Sequence, residues 1–202
     1  MKLVELFKSI QGEGRNQGKP AVFIRLAGCN LNCSWCDTPH SHDVGEETDN
    51  DEIVRWVEDS GCKEICITGG EPLLQIQELR VLLARLSRLG YSIEIETNGT
   101  IDFGPVQDNA TICMDVKCPS SGEKSDLALL KKITSGDSVK FVIDDREDCR
   151  YAEEVILRHP IRGEIFFSPV SGSDYHETAC YILDKNLPVR FQVQLHKIIG
   201  VR

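Results

Sequence analysis

Short β-branched and aromatic runs alternate along the chain with longer stretches whose apolar positions recur every three or four residues. The runs at 21–26, 64–68, 92–97, 111–116, 139–143, 164–167 and 189–195 read as strands covered on both faces. Between them, 52–59, 76–89, 126–133, 147–158 and 175–186 read as helices. In the second of these, Leu79, Leu82, Leu83, Leu86 and Leu89 mark one helical face. The acidic stretch 46–52 reads as a solvated cap on the first helix, where carboxylates oppose the helix dipole. Repeated strand-then-helix units joined by right-handed crossovers make a parallel sheet. A full eight-unit barrel takes about 250 residues, and this chain has 202. The pattern therefore predicts an α/β fold: a partial, incomplete barrel of about six parallel strands with helices outside. No linker, low-complexity segment or internal repeat interrupts it, so residues 1–202 read as one domain.

Composition narrows what such a fold does. The chain is 41% hydrophobic and 27% charged, the balance of a globular protein. Thirty-two acidic residues oppose 23 Lys and Arg, for a formal charge of -9. No basic run is long enough to make a phosphate-binding face, so direct nucleic-acid binding is not expected. No apolar run approaches the roughly 18 residues of a membrane span, and the N-terminus lacks a signal peptide's apolar segment. A cytoplasmic protein is expected.

Nine cysteines, an odd number without a secretion signal, point to thiols kept reduced for metal or cofactor work. Three of them form the run Cys29-Asn-Leu-Asn-Cys33-Ser-Trp-Cys36 in a loop after the first strand of the pattern. An iron–sulfur cube held by three thiolates leaves one iron open. The same run with His40 makes a Cys3His zinc set, and three free buried thiols are the plain alternative. Cys66 and Cys113 fall inside apolar strands, where free cysteine behaves as a small hydrophobe. With Cys62 and Cys118 they do not read as a second cluster.

In parallel α/β folds the chemistry sits at the carboxyl ends of the strands. Those ends carry Thr68-Gly69-Gly70-Glu71-Pro72, Glu96-Thr97-Asn98-Gly99, Asp115-Val116-Lys117, Ser168-Pro169-Val170-Ser171 and Gln194-Leu195-His196-Lys197. Asn98-Gly99 is a hairpin signal elsewhere, but here it reads as a strand-end loop.

The C-x3-C-x2-C run with Trp35 before its third cysteine, followed by Gly69-Gly70-Glu71-Pro72, resembles the radical S-adenosylmethionine (SAM) superfamily. The flanks are more specific. Phe7-Lys-Ser-Ile-Gln11-Gly12-Glu13-Gly14, Phe23-Ile-Arg25-Leu-Ala-Gly28, Asp37-Thr38 and the Gln192-to-Arg202 ending together resemble the 7-carboxy-7-deazaguanine synthase family, from end to end. That resemblance implies that Cys29, Cys33 and Cys36 hold a 4Fe–4S cluster. It implies that Trp35, Asp37, Gly70, Glu71, Asp115, Lys117, Ser168 and Ser171 surround SAM, with Asn98 open as a further neighbour. Thr38 would help bind Mg2+. Gln11, Gly12, Glu13, Arg25, Thr68, His196 and Arg202 would hold the substrate, 6-carboxy-5,6,7,8-tetrahydropterin. The implied reaction is a radical ring contraction with loss of ammonia, in queuosine or archaeosine biosynthesis. A flavodoxin or ferredoxin would supply the electron, and the enzyme would be a homodimer. The chain departs from the family at Asp115-Val116-Lys117, where many relatives carry Ser-Pro-Lys. The competing functions are a glycyl-radical-enzyme activating protein and a non-catalytic zinc or iron–sulfur module.

Overall fold

The computed structural model describes residues 1–42 and 44–202. A nine-stranded sheet has the order β3-β1-β2-β4-β5-β6-β7-β8-β9. Its parallel part runs from β2 (Pro20–Leu26) through β4 (Glu64–Gly69), β5 (Ser92–Thr97), β6 (Thr111–Val116), β7 (Ser138–Ile143) and β8 (Glu164–Pro169) to β9 (Arg190–Phe191). The sheet is open, because β3 (Glu46–Glu47) and β9 are its two separate edges. The expected partial barrel is thus present, with seven parallel strands, the last only two residues long.

Two features fall outside the expected pattern. The N-terminal residues form β1 (Lys2–Ile10), which pairs antiparallel with β2 and carries the Gln11–Gly14 motif on its end. The predicted strand 189–195 stops at Phe191, and Leu195–Ile199 form a short helix, α5. The reason is a competing set of partners. Val193 O accepts from Gln17 Nε2 at 2.7 Å, and Leu195 N donates to Gly12 O at 3.0 Å. Gln192 N still donates to Phe167 O on β8 at 2.9 Å, and beyond it the backbone bonds the loop after β1.

Helices α1 (Asn50–Ser60), α2 (Ile76–Arg88), α3 (Arg146–Arg158) and α4 (Tyr175–Lys185) match the predicted helices to within two residues. The stretch 126–133 is instead a 3-10 helix, Leu127–Lys132. Leu79, Leu82, Leu83 and Leu86 are buried, but Leu89 caps α2 and is 43% exposed. Asp49 caps α1 by accepting from Asp51 N, as the acidic stretch implied.

The strands alternate strictly. Val22, Ile24, Ile65, Ile67, Ile93, Ile95, Ile112, Met114, Val139 and Phe141 pack with the apolar faces of the helices in one core. The intervening residues, Arg25, Thr68, Glu96, Asp115 and Lys140, line a cavity on the other face. Among the described residues, no helix is long and apolar enough to cross a membrane.

Candidate active site

The cavity has a volume of about 460 Å³. Its wall brings together Gln11, Glu13, Arg25, Cys29, Cys33, Trp35, Cys36, Asp37, Thr38, Thr68, Gly70, Asp115, Lys117, Ser168, Ser171, His196 and Arg202. Of the residues that the family resemblance assigns to the site, Gly12 and Glu71 are absent from that wall. Both act behind it.

Gly12 lies against His196. A Cβ at Gly12 would stand 1.8 Å from His196 Nδ1, so glycine is what lets the imidazole fold over the β1 loop. Glu71 is fully buried, and its carboxylate accepts from Leu73 N at 3.0 Å, Thr97 Oγ1 at 2.9 Å and Asn98 N at 2.7 Å. Burial pushes its carboxyl up, against these hydrogen bonds. In this structure it ties the end of β4 to the end of β5.

The cysteine loop is fixed from three sides. Glu71 N donates to Gly28 O at 2.8 Å, and a Cβ at Gly70 would fall 2.3 Å from Gly28 O and 2.6 Å from Cys29 Cβ. Asn30 bonds Asn98 and Thr100 beyond β5. Beyond β6, Ser34 N reaches Ser121 O at 2.9 Å, Asn32 N reaches Glu123 Oε1 at 2.8 Å, and Trp35 Nε1 reaches Ser120 Oγ at 2.9 Å. Asn98, at 5% exposure, is a strand-end residue and no hairpin forms there, because β5 and β6 are parallel.

Three free thiols on one wall are a donor set that an iron–sulfur cube with one open iron can use. Cys29, Cys33 and Cys36 are all free and half-buried on the cavity wall. His40, the fourth ligand of the zinc reading, has its Nε2 3.6 Å from Glu5. Burial raises the Cys33 thiol, while the Lys117 ammonium pulls it back toward the thiolate a metal needs.

Polar groups beneath the loop form a connected chain. Lys140 pairs with Glu13 and stands 3.2 Å from Asp115 Oδ1, while Lys117 Nζ donates to Asp115 Oδ2 at 2.9 Å. Lys117 also sits 5.3 Å over the Trp35 ring, a cation–π contact. Burial works against the Lys140 ammonium, but Asp115, Glu13 and Glu96 outweigh it and hold it charged. Burial opposes the Asp115 carboxylate, and Lys117 with Lys140 keeps it below the ordinary range.

Lys140 and Glu96 carried no assignment from the sequence. Glu96 accepts from Thr68 Oγ1 at 3.0 Å and Gln11 Nε2 at 3.4 Å. Gln11 Nε2 also lies 3.4 Å from Glu94, which sits behind the wall. Burial and the neighbouring Glu96 push the Glu94 carboxyl up to about 8. The signal for these residues was present: in Ser92-Ile-Glu-Ile-Glu-Thr97, every second side chain is charged or polar.

His196 enters the cavity from α5, and burial lowers it toward the neutral imidazole. The next residue, Lys197, donates to Asp37 at 2.9 Å, and Gln194 donates to the same carboxylate at 3.2 Å. Partial desolvation opposes charge on Asp37, yet Lys197 and Gln194 bring it down to about 2. The C-terminal helix thus joins the cysteine loop to the β1 loop.

Comparison with known proteins agrees with this geometry. The sequence pattern of the Radical SAM superfamily matches residues 23–110. A 7-carboxy-7-deazaguanine synthase of Methanospirillum hungatei is 52% identical over 201 residues, covering 100% of this chain and 86% of the relative. One from Koribacter versatilis is 36% identical, covering 98% of this chain and 96% of its own. The crystal structure of QueE from Escherichia coli superposes with a TM-score of 0.78 at 25% identity, over 96% of this chain and 94% of that one. The chain belongs to the radical SAM superfamily and, within it, to the 7-carboxy-7-deazaguanine synthase family.

Proposed function

We infer that this chain converts 6-carboxy-5,6,7,8-tetrahydropterin to 7-carboxy-7-deazaguanine with loss of ammonia, as a radical SAM lyase of 7-deazapurine biosynthesis. The observation that carries this reading is a single cavity lined both by the three free cysteines and by Gln11, Glu13, Arg25 and His196. Cys29, Cys33 and Cys36 hold the 4Fe–4S cluster, and Thr38 contributes to a Mg2+ site. When bound, the cluster and SAM supply the radical chemistry that starts the ring contraction.

The chain's own groups bind, orient and shield. Trp35, Gly70, Asp115, Lys117, Ser168 and Ser171 receive SAM, with Asn98 beside them. Glu71 acts on that site by holding the ends of β4 and β5 together. Asp37 is engaged by Lys197, so it closes the C-terminal helix over the site. Arg25 presents a guanidinium to the substrate carboxylate, the pairing in which a planar fork is strongest. Gln11, Glu13 and Glu96 offer acceptors to the N–H edge of a pterin, and Thr68 fixes Glu96 in place. Neutral His196 both donates and accepts, Gly12 gives it room, and Arg202 closes the wall.

A flavodoxin or ferredoxin as electron donor and a homodimeric assembly complete the proposal, both on the family resemblance. The glycyl-radical activator reading needs a protein substrate and has no use for the Gln11–Glu13–His196 set. Substituting Arg25→Ala tests the assignment: product formation falls by at least about 100-fold, the loss of a buried charge-assisted pair, while iron content is retained. Loss of iron with activity would give Arg25 a structural role instead.

A further inference from the structure

Arg25 does not face the cavity alone. On β1, a bulge between Leu3 and Glu5 shifts the register so that Glu5, and not Val4, stands opposite Arg25 on β2. Directly opposed residues of an antiparallel pair share a face. Glu5 therefore turns inward with Phe7, Phe23 and Arg25. Its Oε1 accepts from Arg25 Nε at 2.6 Å, and its Oε2 pairs with the Arg202 guanidinium. Both guanidinium groups lie over the Phe7 ring, Arg25 at 5.9 Å and Arg202 at 4.8 Å, and Phe7 stacks on Phe23 at 5.0 Å. Side-chain exposures of 14% for Arg25 and 15% for Glu5 leave little room for either to swing.

A guanidinium can grip a carboxylate side-on, through Nε and one terminal nitrogen, or end-on, through both terminal nitrogens. Here Nε is already taken. The two terminal nitrogens of Arg25 have no hydrogen-bond partner among the described residues, and Arg25 lines the cavity. The side chains of Arg25, Arg202 and Glu5 together carry plus one, and His40 Nε2 stands 3.6 Å from the same glutamate, so this wall complements a carboxylate.

We propose that Glu5 is a positioning residue that locks Arg25 for end-on capture of the substrate's carboxylate, and so makes this wall selective for a pterin carrying one. The inference rests on the reading that Arg25 receives that carboxylate. Its distinguishing feature is reach: Glu5 must touch Nε, and its charge alone does not suffice.

Two variants separate reach from charge. Glu5→Asp keeps the charge but is one methylene too short, and Glu5→Gln keeps an acceptor oxygen but loses the charge. Equilibrium dialysis of the anaerobic, cluster-loaded, SAM-bound enzyme would compare pterin-6-carboxylate with unsubstituted pterin. Wild type prefers the carboxylate. In Glu5→Asp, pterin-6-carboxylate weakens by about tenfold, the size of one charge-assisted hydrogen bond, and unsubstituted pterin is unchanged. In Glu5→Gln, both ligands stay within about threefold of wild type. Unchanged binding in Glu5→Asp with tighter carboxylate binding in Glu5→Gln would show a purely electrostatic role and overturn the proposal. Equal weakening of both ligands would show a general loosening of the wall, and would also overturn it. Absence of any carboxylate preference in wild type would instead remove the Arg25 reading on which the proposal stands.

Discussion

Glu94 and Glu96 occupy the same face of β5 with one residue between them, Glu94 buried and Glu96 on the cavity wall, so the buried Glu94 feels its neighbour's charge with little screening. Lys140 is committed to Glu13 and Asp115, so the pair relieves itself by keeping a proton, most strongly on Glu94. The consequence is a slope in stability. A carboxyl whose folded pKa is raised holds its proton longer in the folded state, so the contribution of Glu94 to stability is fully present below about 4.5 and is lost as pH rises through about 8. Glu94→Gln removes that slope. It should match wild type near pH 4.5 and exceed it by a few kcal/mol near pH 8.5, as measured by urea unfolding across pH. A variant no more stable than wild type at pH 8.5 would mean that Glu94 ionises freely. These buried charges were legible as a pattern and missed as a role. The strands are covered on both faces, as read, but their chemistry alternates, with Ile93 and Ile95 in the core with the helices and Glu94 and Glu96 on the opposite face. The same alternation sets Lys140 between Val139 and Phe141. What periodicity does not give is the partner, because Glu13 and Lys140 are 127 positions apart in the chain.

At the level of elements, the cysteine loop owes its shape to a neighbouring strand end more than to its own sequence. Gly70 is tightly enclosed by Gly28 O and Cys29 Cβ, so the Gly-Gly step is a packing requirement between β4 and the loop. Gly70→Ala should leave the circular dichroism spectrum near wild type and yet lower the iron bound after reconstitution to roughly half or less of the cube's four. Full iron loading would show that the loop can move aside. The six main parallel strands and four long helices were readable because each is bounded by turns and periodic within. The C-terminal segment was not. Its Val, Phe and Leu residues suit a strand locally, but Gln17 and Gly12 bind its backbone and turn it into α5. For Glu71 the fold adds partners that the sequence does not show, its carboxylate accepting from Leu73, Thr97 and Asn98.

For the whole molecule, the open sheet separates two tasks. One face builds the apolar core with α1 to α4, which supplies stability. The other is a charged cavity wall that stability alone would not select, since buried ion pairs such as Glu13–Lys140 repay their desolvation poorly. β1 and α5, from the two ends of the chain, close over that wall through Leu195 to Gly12, Ser9 to Arg202 and Lys197 to Asp37. The cavity therefore depends on both termini, which carry the most specific sequence motifs. Anaerobic turnover of the reconstituted protein with SAM, a low-potential reductant, Mg2+ and 6-carboxy-5,6,7,8-tetrahydropterin, followed by mass spectrometry, should yield 7-carboxy-7-deazaguanine with release of ammonia. SAM cleavage by a fully loaded cluster with no such product would contradict the assigned function.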